Sequence, residues 1–510
     1  MPSEREKYGR DVLAAGAATV VKSLSHLLLL PVATFNLSQP EFGAWIIILT
    51  AVNLAIPVLS LQLPAALIRF LAGVDGRGSR REGFYSTFFF LAFFAACACL
   101  ATFFAAPLLA RFLPLERFLP FAGPALALAG VSVLLNVGLA YLRAFRRMLA
   151  HSTLSIAQYS IELVAVYLAF TAGAAGDPAP ALARSALDTL AAPLGLGAST
   201  GLGTALAYMV VIRTLLTLAA LLLVGAGIGL ARPRFSTVPA YLKYSLPLVP
   251  NSTFYYLFDA SDRFVIGRLI SNAAVGVYSA AYTTAGVIGT LFAPLHFVLF
   301  PLLARLWHQR RSEEIAATMT ESLRYSALLA FPAWCGLAVL AGPLFDYLAP
   351  PEYRAGALPL IAPLAAGFGL FGFAVIAGNL VASAGQTRYL LRLDATLAVG
   401  NIALNLLLVP IWGLAGAVTA TLAGHLYYAG AVLLRARRLV SYAVPWKSLL
   451  HYALAAGLMG GGLHGSGASA WPLPVSVAAG AALYFGLLAA SGGLGGREWR
   501  YIKRLIGSGG

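Results

Sequence analysis

The chain has 510 residues, of which 60% are hydrophobic and only 11% are charged, and its formal net charge is +16. Soluble globular domains carry about 25% charged residues, so the composition excludes an ordinary soluble domain. Apolar runs long enough to cross a bilayer as a helix recur along the whole chain. We therefore predict an all-α, polytopic membrane protein, and we expect no nucleic-acid partner and no β-barrel.

Fourteen transmembrane helices are predicted, arranged as two pseudo-symmetric six-helix halves, 1–235 and 236–440, and a C-terminal region 441–510 with helices 13 and 14 and a cytoplasmic tail. The predicted spans are 11–35, 41–70, 84–108, 120–143, 149–173, 201–230, 242–270, 275–304, 319–345, 356–383, 390–411, 413–434, 447–464 and 471–491. The outer segment 173–199 has room for one short interfacial helix. No loop has room for a soluble catalytic domain, so we expect no enzyme and no catalytic residue.

Lysine and arginine collect in alternate loops, which is the positive-inside pattern. The basic loops lie near residues 5–10, 77–81, 143–147, 232–243, 305–311, 388–392, 435–447 and 497–504. The other loops hold only Arg111, Arg117, Arg184, Arg268 and Arg354. This asymmetry predicts a multi-pass protein of the plasma (inner) membrane with both termini in the cytoplasm. The three cysteines lie in apolar spans and predict neither a disulfide nor a metal site.

Polar residues inside the first two spans are candidates for substrate binding. Lys22 lies 12 residues past Arg10, about 18 Å along a helix, and His26 follows one turn later on the same face. A charge at the bilayer centre costs about 2.5–3.5 kcal/mol on insertion scales, and such residues usually line a cavity. We assign Lys22, His26 and Asn53 to a cavity. Arg69 either joins them or extends to the membrane interface.

Two further spans carry opposite charges at similar depths. Glu162 on span five and Arg213 on span six are expected to form a structural ion pair between antiparallel neighbours. Asp394 is expected to pair near the cytoplasmic surface. Asn401 and Asn405 are expected to make hydrogen bonds that pack helices.

The stretch of residues 241–305 holds the densest polar set. Its candidates for substrate binding are Asn251, Tyr255, Asp259, Asp262, Arg263 and Tyr282. The alternative for Asp259 and Arg263 is an ion pair that braces one helix at the i, i+4 spacing. Residues 269–284, LISNAAVGVYSAAYTT, align with residues 36–51, NLSQPEFGAWIIILTA. Such internal repeats are typical of transporters, with a binding site between the halves.

These stretches support a family resemblance. Residues 245–282 resemble the seventh-to-eighth helix region of the polysaccharide-transporter family, the Wzx-type flippases of the MATE/oligosaccharidyl-lipid/polysaccharide (MOP) exporter superfamily. Residues 405–420, NLLLVPIWGLAGAVTA, resemble another element of that family. The resemblance covers nearly the whole chain. It implies a flippase that carries polyprenyl-diphosphate oligosaccharide repeat units to the outer leaflet by alternating access, for surface polysaccharide such as the O-antigen of lipopolysaccharide.

The expected partners are the lipid-linked oligosaccharide, membrane lipids and a polysaccharide polymerase or assembly proteins. Lys22, Arg69 and Arg263 would meet the diphosphate, and the Asn and Tyr candidates would meet the glycan. No cofactor and no metal are expected, and the coupling ion is open between H⁺ and Na⁺. The alternatives are a cation-coupled multidrug exporter, a lipid II flippase of the same superfamily and, from another class, a polytopic glycosyl-transfer enzyme.

Overall fold

The computed structural model describes residues 4–71, 76–112, 116–145, 147–171, 185–190 and 201–493. Seventeen α-helices run through these residues, joined in places by 3₁₀ turns, and the described ranges contain no β-strand. The predicted all-α fold is therefore confirmed. The helices of the first part of the chain are α1 (Glu4–Thr34), α2 (Gln39–Leu59), α3 (Leu63–Leu71), α4 (Arg77–Phe112), α5 (Ala122–Ala144), α6 (Met148–Phe170), α7 (Gly201–Ile228), α8 (Val238–Ser245) and α9 (Val249–Leu269).

The remaining helices are α10 (Asn272–Thr290), α11 (Ala293–His308), α12 (Ser312–Leu348), α13 (Pro351–Ser383), α14 (Thr387–Trp412), α15 (Leu414–Leu439), α16 (Trp446–Gly465) and α17 (Leu473–Ala490). Residues 185–190 form a short helical segment within the stretch 173–199, where one was expected. The basic cluster at residues 497–504 and Arg184 lie outside the described residues.

Eleven helices of the described residues are long and apolar enough to cross a bilayer: α1, α2, α4, α5, α6, α7, α12, α13, α14, α15 and α17. Helices α9, α10 and α16 occupy predicted spans seven, eight and thirteen but are less apolar. In α9 the cause is four charged residues, Asp259, Asp262, Arg263 and Arg268. The total of fourteen spans stays a prediction.

The chain forms two compact units, residues 1–276 and 277–510. In the first unit, α5 packs against α2, α3, α4 and α7, and α1 packs along α6. In the second unit, α13 packs against α12 and α15, and α15 packs along α14. The boundaries predicted at residues 235 and 440 separate pseudo-symmetric halves rather than compact units. They stay a prediction.

The last two helices are attached to α12 through buried tyrosines. Tyr452 of α16 and Tyr484 of α17 are both fully buried. The hydroxyl of Tyr484 donates a hydrogen bond of 3.0 Å to the carbonyl of Leu328, and Nε of Arg324 donates one of 3.1 Å to the hydroxyl of Tyr452. Buried tyrosines stabilise a fold when the hydroxyl has a partner. Helices 13 and 14 of the sequence prediction are therefore anchored in the second unit.

Predicted span two is divided where one continuous helix was expected. Helix α2 ends at Leu59 and α3 begins at Leu63. Between them Leu61 and Gln62 have φ angles of 47° and 52°, in the left-handed region that non-glycine residues rarely adopt. The Ser60 hydroxyl supports the break, since it donates to the Pro57 carbonyl at 3.2 Å and accepts from the Gln62 amide at 3.3 Å.

Predicted spans seven and eight are divided in the same way. A 3₁₀ turn, Leu246–Leu248, separates α8 from α9. Pro247 in this turn and Pro250 in the first turn of α9 lack the amide hydrogen that a continuous helix needs. In span eight, α10 ends at Thr290 and α11 begins at Ala293.

Helix boundaries follow the sequence repeat. Helix α2 begins at Gln39 and α10 begins at Asn272, which is 233 positions later. The same offset aligns Gly43 with Gly276. Each of these helices is followed by a break and a shorter helix, α3 in one case and α11 in the other. The repeat therefore extends beyond the residues that were aligned.

The structure explains the two glycines of the motif at residues 405–420. Gly413 joins α14 to α15 with φ 59° and ψ −134°, a conformation that favours glycine. Gly416 lies in the first turn of α15, where a Cβ atom would overlap the backbone carbonyl of Leu408 in α14. The two glycines therefore permit a tight turn and a close approach of two helices.

Replacing Gly416 with alanine should lower the thermal unfolding temperature, because a backbone carbonyl cannot rotate away as a side chain can. Gly413→Ala should cost about 1–3 kcal/mol of stability through backbone strain. Gly430→Ala on the same helix is the matched control, since nothing lies within 4 Å of its Cβ position. The measurement is fluorescence-monitored unfolding in detergent. Equal unfolding temperatures for Gly416→Ala and Gly430→Ala would contradict the explanation.

Candidate functional site

Helix α1 exposes two chemically different faces. Thr19, Lys22 and His26 are exposed and lie within one arc of the helix at 100° per residue. A second exposed arc, roughly opposite, is apolar and consists of Val20, Leu24 and Leu28. A span that met lipid on both sides would be apolar on both. The face with Lys22 and His26 therefore borders a polar space.

Tyr159 of α6 lies beside both of these side chains. Lys22 Nζ is 5.7 Å from the centroid of the Tyr159 ring, within the range of a cation–π interaction. The His26 ring meets the same tyrosine edge-on, with 5.8 Å between the ring centroids. Packing of α1 along α6 produces this arrangement. The aromatic ring thus forms one wall of the space that Lys22 faces.

One turn along α6, Glu162 binds Arg213 of α7 through two contacts. Arg213 Nε lies 2.7 Å from Glu162 Oε1, and Nη2 lies 3.1 Å from Oε2. Arg213 Nη1 also donates to the Ser132 hydroxyl of α5. The pair is largely buried, with side-chain exposures of 12% for Arg213 and 9% for Glu162. It links three helices of the first unit.

The charge balance around Lys22 follows from this pair. Glu162 is already bound to Arg213 in two places, so its charge is neutralised locally. Among the described residues, no carboxylate pairs with Lys22. The polar face of α1 therefore carries an excess positive charge within an apolar span, which suits an anionic ligand.

Arg69, on α3, is the other cationic candidate of the first unit described here. Its guanidinium carbon is 4.4 Å from the centroid of the Tyr244 ring on α8. The neighbouring Phe70 stacks on Tyr241, with 5.0 Å between centroids and nearly parallel planes. The Arg69 side chain is exposed at the end of α3. Its cation is held over an aromatic ring but stays open to a ligand or to the membrane interface.

On α9 the charged candidates form a compact group. Arg263 Nη1 donates to the Asp262 carboxylate at 3.1 Å and to the backbone carbonyl of Asp259 at 2.6 Å. Asp262 and Arg263 are buried, and α9 packs against α2. The ion pair described here joins the adjacent residues Asp262 and Arg263, and the i, i+4 contact is a hydrogen bond to the backbone carbonyl of Asp259. Burial makes this group an internal brace of α9 in the arrangement described here.

The uncharged candidates differ in their access to a ligand. Asn53 and Tyr255 are exposed, and Asn251 is half-buried. Tyr255 meets Tyr256 edge-on with 5.8 Å between ring centroids, so α9 presents a pair of accessible aromatic rings. Tyr282, in the second unit, is buried and packs edge-on against Phe368 at 4.9 Å. The substrate-binding roles of all these residues stay predictions.

Tyr159, Ser132 and Tyr244 were not among the predicted residues. Tyr159 lies three positions before Glu162, a spacing that places both on one helix face, and this was the available signal. For Ser132 and Tyr244 the chain offers no comparable signal. Within the described ranges, no three His, Cys, Asp or Glu side chains converge to form a metal site.

Comparison with known proteins bears on the class of this chain. Residues 189–353 match the family model for a polysaccharide biosynthesis protein. The chain is 26% identical over 193 residues to the probable low-salt glycan biosynthesis flippase Agl15 of Haloferax volcanii, covering 38% of this chain and 41% of that protein. It is 22% identical over 162 residues to the probable flippase AglR of the same organism, covering 32% and 34%. The chain thus spans less than half the length of the curated relatives it matches.

Solved structures cover more of the chain. The lipid II flippase MurJ, in an inward closed conformation, aligns with a TM-score of 0.73 at 11% identity, over 94% of this chain and 98% of that one. An inward-facing multidrug resistance MATE transporter aligns with a TM-score of 0.64 at 14% identity, over 83% and 94%. At such identities the likeness establishes the fold. The chain is a multi-pass membrane protein with the fold seen in the MurJ and MATE structures. The family model and the named flippases confirm its resemblance to the polysaccharide-transporter family of the MOP superfamily.

Proposed function

We propose that this protein is a flippase that moves polyprenyl-diphosphate oligosaccharide repeat units from the cytoplasmic to the outer leaflet by alternating access. The observation that carries the proposal is the exposed Lys22 on the polar face of α1, with His26 beside it and no paired carboxylate among the described residues. A diphosphate cannot enter an apolar medium without a compensating charge. A cation at this depth lowers that barrier.

The remaining accessible candidates suit the other parts of such a substrate. Arg69 offers a second cation at the end of α3. Asn53 can make hydrogen bonds with sugar hydroxyls, and Tyr255 and Tyr256 can stack on sugar rings. Membrane lipids would surround the polyprenyl chain. The product would then be used by enzymes that assemble or polymerise a surface glycan, of which O-antigen is one example.

The charge of the site also separates the alternatives. A multidrug exporter for cationic compounds needs an accessible carboxylate, whereas Glu162 is bound to Arg213 and Asp262 to Arg263, so this alternative would depend on the half-buried Asp259. A lipid II flippase would meet the same diphosphate, so Lys22 does not exclude it. The named relatives are flippases and carriers, which supports a transport role over glycosyl transfer.

Reconstitution of the full chain into liposomes tests this proposal. A fluorescent polyprenyl-diphosphate oligosaccharide in the inner leaflet should become accessible to dithionite, a membrane-impermeant quencher, faster than in protein-free vesicles. Fluorescent phosphatidylcholine in parallel vesicles should stay protected. A fluorescent lipid II analogue in a third set separates the two flippase functions. Equal quenching of the oligosaccharide probe with and without protein would refute the proposal.

We also propose that both termini lie in the cytoplasm of a cell carrying this protein in its plasma (inner) membrane. The support is the alternation of basic and neutral loops. In a variant without the native cysteines, Arg354→Cys should react with an impermeant maleimide in intact cells, and Arg310→Cys should react only after lysis. If Arg310→Cys reacted in intact cells and Arg354→Cys reacted only after lysis, the proposed orientation would be wrong.

A further inference from the structure

His425 lies in the middle of α15 and is almost completely enclosed. The helix runs from Leu414 to Leu439, so the histidine is about 16 Å from its first residue. Only 2% of its surface is exposed. A titratable side chain at this depth in a span is a functional candidate by default, because enclosing it has a cost that an apolar residue would avoid.

The helix packed against α15 accommodates this histidine specifically. A Cβ atom on Gly367 of α13 would lie 2.8 Å from His425 Nδ1, so only glycine leaves room for the imidazole. The rings of Phe368 and Phe371 lie 5.9 and 5.1 Å from it, centroid to centroid. An imidazolium cation is costly to enclose in such surroundings. Proton uptake at His425 is therefore unfavourable while α13 and α15 enclose the ring in this way.

Polar groups lead towards His425 from the end of α15 that contains Arg435. Arg435 Nε donates to the Gln386 side-chain oxygen at 2.6 Å. Nearer the middle, the Tyr389 hydroxyl donates to the carbonyl of Ala431 at 3.0 Å. These contacts lie along the seam between α14 and α15, where Thr396 and Tyr427 also make a hydrogen bond of 2.9 Å.

The next polar contact along this seam is between Asp394 of α14 and Tyr428 of α15. The Tyr428 hydroxyl makes a hydrogen bond with the Asp394 carboxylate. Tyr428 is three residues from His425 on the same helix, and the Phe371 ring contacts both, at 5.4 Å from Tyr428. A carboxylate, a phenol and an imidazole thus follow one another from the helix end to its middle.

Few other titratable groups face this histidine. Helix α13 carries none between Arg354 and its end at Ser383. Helix α10 contributes Tyr278, whose hydroxyl lies 3.4 Å from that of Thr421, and Tyr282, which contacts Phe368. Helix α14 contributes Asp394. Asp394 is therefore the one carboxyl group among these packed segments that can supply a proton to this histidine.

We infer that His425 is a proton-binding site of the transport cycle, loaded along the seam through Asp394 and Tyr428. The inference rests on the proposed function. The Asp394 carboxyl group gives up a proton, and the imidazole accepts one at a ring nitrogen to become an imidazolium. Release of that proton regenerates the neutral ring, so no other bond changes. Because a charge enclosed at this depth loses its hydration, proton binding disfavours the closed contact of α13 with α15 and is thereby linked to movement of these helices.

The transport test uses the full chain in liposomes with the fluorescent polyprenyl-diphosphate oligosaccharide and an entrapped pH indicator. The wild type should move the probe faster when a pH gradient is imposed, with proton flux that depends on the probe. His425→Gln should keep movement without a gradient and lose both gradient-dependent effects. His464→Gln, which changes an exposed histidine of α16, should behave as wild type. Acceleration of His425→Gln by the gradient, or a wild type indifferent to it, would overturn the inference.

A second measurement does not depend on transport. Hydrogen–deuterium exchange, corrected for its intrinsic pH dependence, should rise around Gly367 and His425 when the pH of the wild-type protein is lowered. It should not rise in His425→Gln. Asp394→Asn, which leaves the histidine packing in place but removes its proton donor, should lose the gradient-driven transport and show the exchange response only slowly. If the wild-type protein moves no glycolipid, the proposed flippase function is wrong. If its hydrogen–deuterium exchange is unchanged at low pH, His425 is not the proposed proton-binding site.

Discussion

Replacing Lys22 with glutamine should abolish most glycolipid export, whereas Lys22→Arg should retain much of it. If Lys22 binds a diphosphate, the site requires positive charge and little else about the side chain. A hydrogen bond to a charged group contributes about 1.5–3 kcal/mol, so export should fall by about tenfold to a hundredfold. Lys22→Ala should behave as Lys22→Gln does. The measurement is surface glycan in a deletion strain complemented by each variant, normalised to membrane-inserted protein.

The matched control for this series is Lys243→Gln, which removes an exposed lysine from α8. It should leave export close to the wild-type level. If Lys22 only packs, Lys22→Gln should export at least as well as Lys22→Arg, because removing a charge from an apolar span strands no partner there. Full export by Lys22→Gln would end the diphosphate role and leave Arg69 as the accessible cation.

Neutralising Glu162 alone should cost about 3–5 kcal/mol of stability, because it leaves the buried Arg213 without its charge partner. Arg213→Gln should cost a similar amount. The double variant Glu162→Gln, Arg213→Gln should lose less than the two single losses combined, since neither charge is then stranded. The measurement is the free energy of unfolding in detergent of the wild type, the two single variants and the double variant. Together the four values give the coupling energy of the double-mutant cycle.

The control for that cycle is the ion pair between Asp346 and Arg354, whose side chains are 50% and 44% exposed. Exposed pairs contribute about 0–1 kcal/mol, so its two single variants should cost little. Additive losses at Glu162 and Arg213 would remove the case for a brace. If Asp346 and Arg354 gave an equally large coupling energy, burial would not explain the coupling between Glu162 and Arg213.

The juxtaposition of Glu162 and Arg213 could be anticipated because depth in a bilayer can be counted along a helix. The loops fix where each span begins, and the rise per residue then places two charges at one level. Opposite charges at one level on neighbouring spans have few other partners in an apolar medium. The same counting identified Lys22 as a residue deep in span one.

The break at Leu61 and Gln62 could not be anticipated in the same way. Neither residue is a helix breaker, but Pro57 and Pro64 flank the break, and Pro64 lies in the first turn of α3 as Pro250 lies in that of α9. The left-handed backbone of the two residues, between helices that both pack on α5, is not encoded by propensity. Pro247 gave a comparable local signal for the division of span seven.

The aromatic partners of the site escaped prediction for a different reason. Tyr159 is one of 22 tyrosines in a chain with 29 phenylalanines, so an aromatic residue in a span carries little information by itself. His425 lies in an apolar run, and its importance follows from Gly367 and Asp394 on other helices. The roles of these residues depend on contacts between helices that are distant in sequence.

The polar face of α1 has a consequence for how the protein is made. Lys22 and His26 find their neighbour, Tyr159, on α6, which is synthesised much later. Helices α1 and α6 are both among the least apolar of the eleven candidate spans. Until α6 emerges, α1 must enter the bilayer with its lysine uncovered. Stable insertion of the first helix therefore depends on the sixth. A chain truncated before Met148, which lacks α6, should be cleared from the membrane faster than one truncated after Phe170. Pulse-chase labelling can measure the two rates.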